Sequence, residues 1–147
     1  MVRKLVLDQV NMVVGDMEAS VAFYRLLGLE VPDRLPEWDA HHRSTELGDD
    51  GLDFDLDSTV FARQWNEGWS GRKSGAGCVV VFRVATRKEV DEIHADLAGA
   101  GYKVQQPPYD AFFGARFTVI EDPSGNAIGV MSPPDPGLRR STTKPSA

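Results

Sequence analysis

The chain has 147 residues, 41% of them hydrophobic and 26% charged, the balance of an ordinary soluble globular protein. The formal net charge is −6, and the end of the chain carries Arg139, Arg140 and Lys144 without an acid, so the body before it is more acidic still; this argues against a nucleic-acid partner and suits a neutral or cationic small molecule. No apolar run is long enough for a membrane span, the N-terminus has no leader pattern, and the lone Cys78 forbids an intrachain disulfide, which fits a cytoplasmic location.

In chain order, residues 5–14 are β-rich and partly alternating, with Leu7, Gln9 and Asn11 on one face. Asp16 is suited to cap a helix whose apolar stripe runs through Met17, Val21 and Tyr24, and Gly28 stops it. Leu29–Val31 is extended and limited by Pro32 and Pro36. Residues 40–47 and 52–57 read as a hairpin around Gly48–Gly51. If Leu47 opposes Leu52, then Asp53, Asp55 and Asp57 share a face with His42 and Ser44, and Phe54 and Leu56 share the other with Thr45 and Leu47. Residues 58–77 break the pattern with Gly, Ser, Phe61, Trp65 and Trp69, and hold one short helix from about Val60 to Asn66.

The order then repeats. Cys78–Val84 is a strand, Thr86 to Glu89 a capping box, and Val90, Ile93 and Leu97 the stripe of a helix ending near Gly99 or Gly101. Tyr102–Gln105 is extended. Ala115–Ile120 and Ala127–Met131 form a hairpin about Asp-Pro-Ser-Gly-Asn. Sliding the first half by 73 residues sets Gly28 on Gly101 and Val31 on Val104. The expected organisation is α+β: a first βαβββ module over 1–58, a Trp-bearing linker over 59–77, a second βαβββ module over 78–133, and an unstructured tail over 134–147.

"SVAFYRLLGLEV" in the first half and "FTVIEDPSGNAIGVM" in the second resemble the vicinal-oxygen-chelate superfamily, which includes glyoxalase I, bleomycin-resistance proteins, fosfomycin-resistance enzymes and extradiol dioxygenases. The resemblance covers residues 4–133. It implies two βαβββ modules whose curved sheets form a shared cleft, and a homodimer. Enzymatic members hold a divalent metal such as Zn, Ni, Fe or Mn on ligands from both modules. Carried onto this chain, the ligand places fall on Gln9, on Asp55, near Val79 and on Gly129. The first two residue types bind cations and the last two do not, so the resemblance implies a protein without catalytic metal, of the ligand-sequestering, bleomycin-resistance-like kind. The alternative is a metal-dependent glyoxalase-type lyase or dioxygenase with an altered ligand set of Gln9, Asp55 and His42.

Candidate ligand contacts follow. Gln9, His42 and Asp55 supply polar groups, and Trp65, Trp69, Phe112 and Phe113 supply apolar walls for a cationic or aromatic ligand. Gly129, a glycine inside a strand, is expected to leave room for that ligand.

Overall fold

The computed structural model describes residues 9–48, 52–65, 71, 79–111 and 113–140. The chain is α+β and divides into two compact units, Met1–Lys73 and Ser74–Ala147.

In the first unit, strand β1 (Gln9–Val14) leads to helix α1 (Met17–Leu27), a short helix α2 (Pro36–Asp39), strands β2 (His42–Leu47) and β3 (Leu52–Ser58), and helix α3 (Thr59–Trp65). Asp16 caps α1 by accepting the Ala19 N–H at 2.9 Å, and Gly28 ends it at φ 113°, a left-handed conformation that a side chain resists. The sheet order is β1-β3-β2, with β1 parallel and β2 antiparallel to β3. Leu47 opposes Leu52 and His42 opposes Asp57, the register the strand alternation implied. Phe54 and Leu56 are buried on the core side, where the Tyr24 ring meets Phe54 edge-on with centroids 5.1 Å apart.

Residues 29–31 do not join this sheet as a fourth strand. Pro32 has no N–H to give a ladder, and the carbonyls around it are claimed by side chains instead. Thr45 Oγ1 donates to Glu30 O at 2.7 Å, Arg25 Nε to Val31 O at 3.0 Å and Arg43 Nη1 to Pro32 O at 3.2 Å. Arg43, only 5% exposed, also donates to Asp39 O at 2.8 Å and pairs with Asp33 at 2.5 Å. One guanidinium thus pins the whole crossover, including α2, to β2.

The second unit is βαβββ: β4 (Val79–Arg83), α4 (Arg87–Gly99), β5 (Val104–Asp110), β6 (Arg116–Glu121) and β7 (Ala127–Met131), in sheet order β4-β7-β6-β5. The expected capping box opens α4: Thr86 Oγ1 accepts the Glu89 N–H at 3.2 Å, and Glu89 accepts the Thr86 N–H at 2.7 Å. Val90 and Leu97 of α4 are buried, as are Ile120, Ile128 and Val130 of the sheet. The β6–β7 turn is built on buried Asp122, which accepts the N–H groups of Ser124 at 3.0 Å and Asn126 at 2.7 Å and the Asn126 amide at 2.7 Å.

Residues 134–140 depart from the tail that composition suggested. The Asp135 N–H donates to Gly114 O at 3.1 Å, Asp135 caps a 3-10 turn at Pro136–Leu138, and Arg140 donates to Asp110 O at 2.5 Å. Gly114, at φ 91°, permits this: an added Cβ would lie 2.2 Å from Asp135 O. Composition missed the segment because its partners are backbone groups of β5 and of the turn before β6.

Candidate functional site

The open face of the first sheet is polar because strand alternation sets every second residue there. Gln9 and Asn11 of β1, Asp53, Asp55 and Asp57 of β3, and His42 and Ser44 of β2 share it. Parallel pairing opposes Asn11, not Gln9, to Asp55. Gln9, Asn11, His42, Asp55 and Asp57 line a hollow of about 290 Å³, closed on one side by Phe61 of α3.

Asp57 is fully buried and doubly served: His42 Nδ1 lies 2.7 Å from Oδ1 and Asn11 Nδ2 donates to Oδ2 at 2.9 Å. A carboxylate only accepts, so Nδ1 carries a proton, and in the neutral ring His42 Nε2 keeps a lone pair. That nitrogen can accept a proton or a hydrogen bond from a guest. Asp55 is the opposite case. It is 5% exposed, its Oδ2 receives a long 3.4 Å contact from Asn11, and among the described residues its Oδ1 has no hydrogen-bond partner. Burial pushes its carboxyl above the ordinary value of 3.8, Asp57 and Asp53 push the same way, and Ser44 and His42 oppose them.

Beyond Phe61 lies a second hollow, about 310 Å³, lined by Glu37, Trp38, His41, Val60, Phe61 and Gln64. The Phe61 ring is 5.4 Å from the His42 ring and 5.8 Å from the Trp38 ring, centroid to centroid.

Of the residues expected to form the site, Gln9, His42 and Asp55 come together in the first hollow. Trp65 ends α3. Trp69 and Phe112 lie outside the described residues. Phe113 belongs to the second unit and packs edge-on against Phe117, centroids 5.9 Å apart. Gly129 leaves no room: an added Cβ would meet Phe117 Cε2 at 2.9 Å and Val81 Cγ2 at 3.0 Å. The space that the missing side chain frees is taken by Phe117. Sequence reasoning passed over Asn11, although the β1 alternation set it beside Gln9. It also left Phe61 without a role.

The residues present do not fit the divalent metal that the superfamily's enzymatic members hold. On the second unit's sheet Gly129 opposes Val81, with Val79 one alternation away, and none of these offers a donor atom. On the first, Asp57 is committed to His42 and Asn11. Among the described residues no group of three or more His, Cys, Asp or Glu side chains is placed to hold an ion.

The family model of the Glyoxalase/Bleomycin resistance protein/Dioxygenase superfamily matches residues 6–130, and the chain belongs to that superfamily. Solved structures agree on the fold. A glyoxalase/bleomycin resistance protein/dioxygenase family enzyme from Burkholderia phytofirmans superposes with TM-score 0.72 at 21% identity, over 86% of this chain and 97% of that one. A glyoxalase-related enzyme from Fulvimarina pelagi gives TM-score 0.73 at 17% identity, over 86% and 87%. Lactoylglutathione lyase from Agrobacterium tumefaciens gives 0.63 at 21%, over 87% and 93%. At these identities the likeness is one of fold. No curated protein matches the sequence. Among the described residues no helix is long and apolar enough to cross a membrane.

Proposed function

We propose that this protein binds, and by binding sequesters, a small molecule bearing a hydrogen-bond donor, most simply a protonated amine, in the hollow of the first sheet, without a metal. One observation carries the reading: Asp55 Oδ1 is buried, makes no hydrogen bond with the described residues, and belongs to a residue lining that hollow. A buried acceptor without a partner costs stability, so a native protein that keeps one invites a functional explanation. An ammonium group supplies both the missing hydrogen bond and the opposite charge. The chain's net charge of −6 attracts a cation to it, and the Phe61 ring offers a face to its carbon skeleton.

The test is thermal melting. The protein is first stripped with chelator, then titrated with Zn²⁺, Ni²⁺, Mn²⁺, Fe²⁺ and Mg²⁺ in turn, and separately with primary alkyl amines. A molecule that binds only the folded state raises Tm by mass action. The expected result is a rise with amines that Asp55→Asn removes, and none with the metals. A stoichiometric metal-dependent rise, lost in Asp55→Ala, overturns the proposal in favour of a metal-dependent lyase or dioxygenase using Gln9, Asp55 and His42.

A further inference from the structure

The polar hollow at Asp55 and the hollow beside Trp38 are neighbours with one wall in common. Phe61 lines both. Their chemistry differs sharply across that wall. One side presents Gln9, Asn11, His42, Asp55 and Asp57; the other presents the exposed apolar surfaces of Trp38 and Val60, 48% and 54% accessible. Each hollow alone, at about 290 and 310 Å³, is at the lower limit of what small-molecule sites occupy, roughly 300–1,000 Å³; joined, they fall well inside it.

Trp38 is not loosely held. It sits on α2, where Pro36 sets the first turn and Asp39 Oδ1 accepts the N–H groups of Arg34 at 3.1 Å and Leu35 at 3.2 Å. The buried Arg43 donates to Asp39 O at 2.8 Å, and the His41 N–H donates to Trp38 O at 2.7 Å. His41 Nδ1 is in turn 3.0 Å from Ser58 Oγ. A large aromatic ring half open to water on so firmly tied a helix is preorganised for a partner, because little freedom remains to be lost on contact. Its contact with Phe61 is edge-on, at 77°.

We propose that the Trp38 hollow is the second half of the ligand site, and that it receives the flat apolar arm of a molecule whose amine head lies at Asp55. The inference rests on the reading of Asp55 given above and adds the class of ligand: an arylalkyl amine, with the arm passing over Phe61. The polar rim of Glu37, His41 and Gln64 leaves space for a polar substituent on the arm.

The experiment is isothermal titration calorimetry with butylamine, 4-phenylbutylamine and N-acetyl-4-phenylbutylamine against the full chain, Trp38→Ala and Asp55→Asn. Each variant is checked by its melting curve, and Trp38 is exposed enough for the variant to fold. The full chain is expected to bind 4-phenylbutylamine roughly tenfold more tightly than butylamine and to lose affinity for the acetylated form, which carries no charge. Trp38→Ala should erase the preference for the aryl amine and leave butylamine binding unchanged. Asp55→Asn should weaken both amines. If Trp38→Ala leaves the aryl preference intact, or weakens butylamine equally, the Trp38 hollow is not the arm site; the Asp55 reading then stands as long as Asp55→Asn weakens both amines. If neither amine binds, or Asp55→Asn changes nothing, the Asp55 reading fails and this inference falls with it.

Discussion

Two carboxylates two residues apart on β3 have opposite fates. Asp57 is satisfied by His42 and Asn11, and Asp55 is left with a bare oxygen. The difference comes from reach: His42 pairs with Asp57, and the Asn11 amide, which both could share, lies 2.9 Å from Asp57 Oδ2 but 3.4 Å from Asp55 Oδ2. Because folding raises the Asp55 pKa above 3.8, the native state holds this proton more tightly than the unfolded chain does. The group's contribution to stability is therefore complete below 3.8 and is lost as pH rises through the native pKa. Asp55→Asn removes the ionisation while keeping the shape. It should be more stable than the wild type at neutral pH, by on the order of 1 kcal/mol, and the advantage should vanish on acidification below 3.8. Melting curves between about pH 3 and about pH 8 check this. An Asn variant less stable at neutral pH would mean that Oδ1 is satisfied in solution. Nothing in the composition distinguished Asp55 from Asp57. Alternation set both on one face, and the Leu47–Leu52 register sets His42 opposite Asp57; what local sequence does not give is the side-chain geometry that leaves Asp55 Oδ1 without a hydrogen bond among the described residues.

At the scale of elements, what was legible was what local rules govern. The Asp16 cap, the Gly28 stop, the Thr86–Glu89 box and the hairpin register each depend on residues a few positions apart. What was not legible depended on distant partners. Residues 29–31 have an extended sequence but no ladder, because Thr45 occupies the Glu30 carbonyl and Arg25 that of Val31, and Arg43 holds the Pro32 carbonyl that follows. Gly129 was read as space for a guest, and the space belongs to Phe117, which is itself braced by Tyr109 and Phe113. Gly129→Ala should therefore cost about 1–3 kcal/mol, the usual penalty of overpacking. Phe117→Leu in the same chain should recover part of it, because the nearest obstacle is the ring edge. Denaturant unfolding of the single and double variants measures the coupling. An Ala variant as stable as wild type would show that the Phe117 ring yields freely.

At the scale of the whole molecule, the acidic charge acts over distance and Asp55 acts at contact. Screening separates the two, since the Debye length shrinks from about 30 Å at 0.01 M salt to about 8 Å at 0.15 M. Butylamine affinity should fall several-fold across that range through loss of the long-range field. The residual affinity at the higher salt should still depend on Asp55, and N-acetyl-4-phenylbutylamine should show no salt dependence. Equilibrium dialysis at both salts decides it. Equal slopes for the charged and the neutral compound would remove electrostatic attraction from the account. The superfamily and its α+β class were readable over nearly the full chain because the Gly, Asp and apolar positions that build each unit recur at a fixed spacing. The ligand was not, because two of the residues that shape its hollows, Trp38 and Phe61, come from short helices flanking the sheet.

The strand orders carry a consequence for synthesis. In the first unit every sheet partner has been made once Ser58 is added, so this half can close while the rest is still being translated. The second unit has no such liberty. β4 is its first described strand to emerge, yet among the described strands its partner is β7, the last, so that pairing waits until residues 127–131 have left the ribosome. The two halves therefore differ in when their strand pairings become available: the first at Ser58, the second not before Met131.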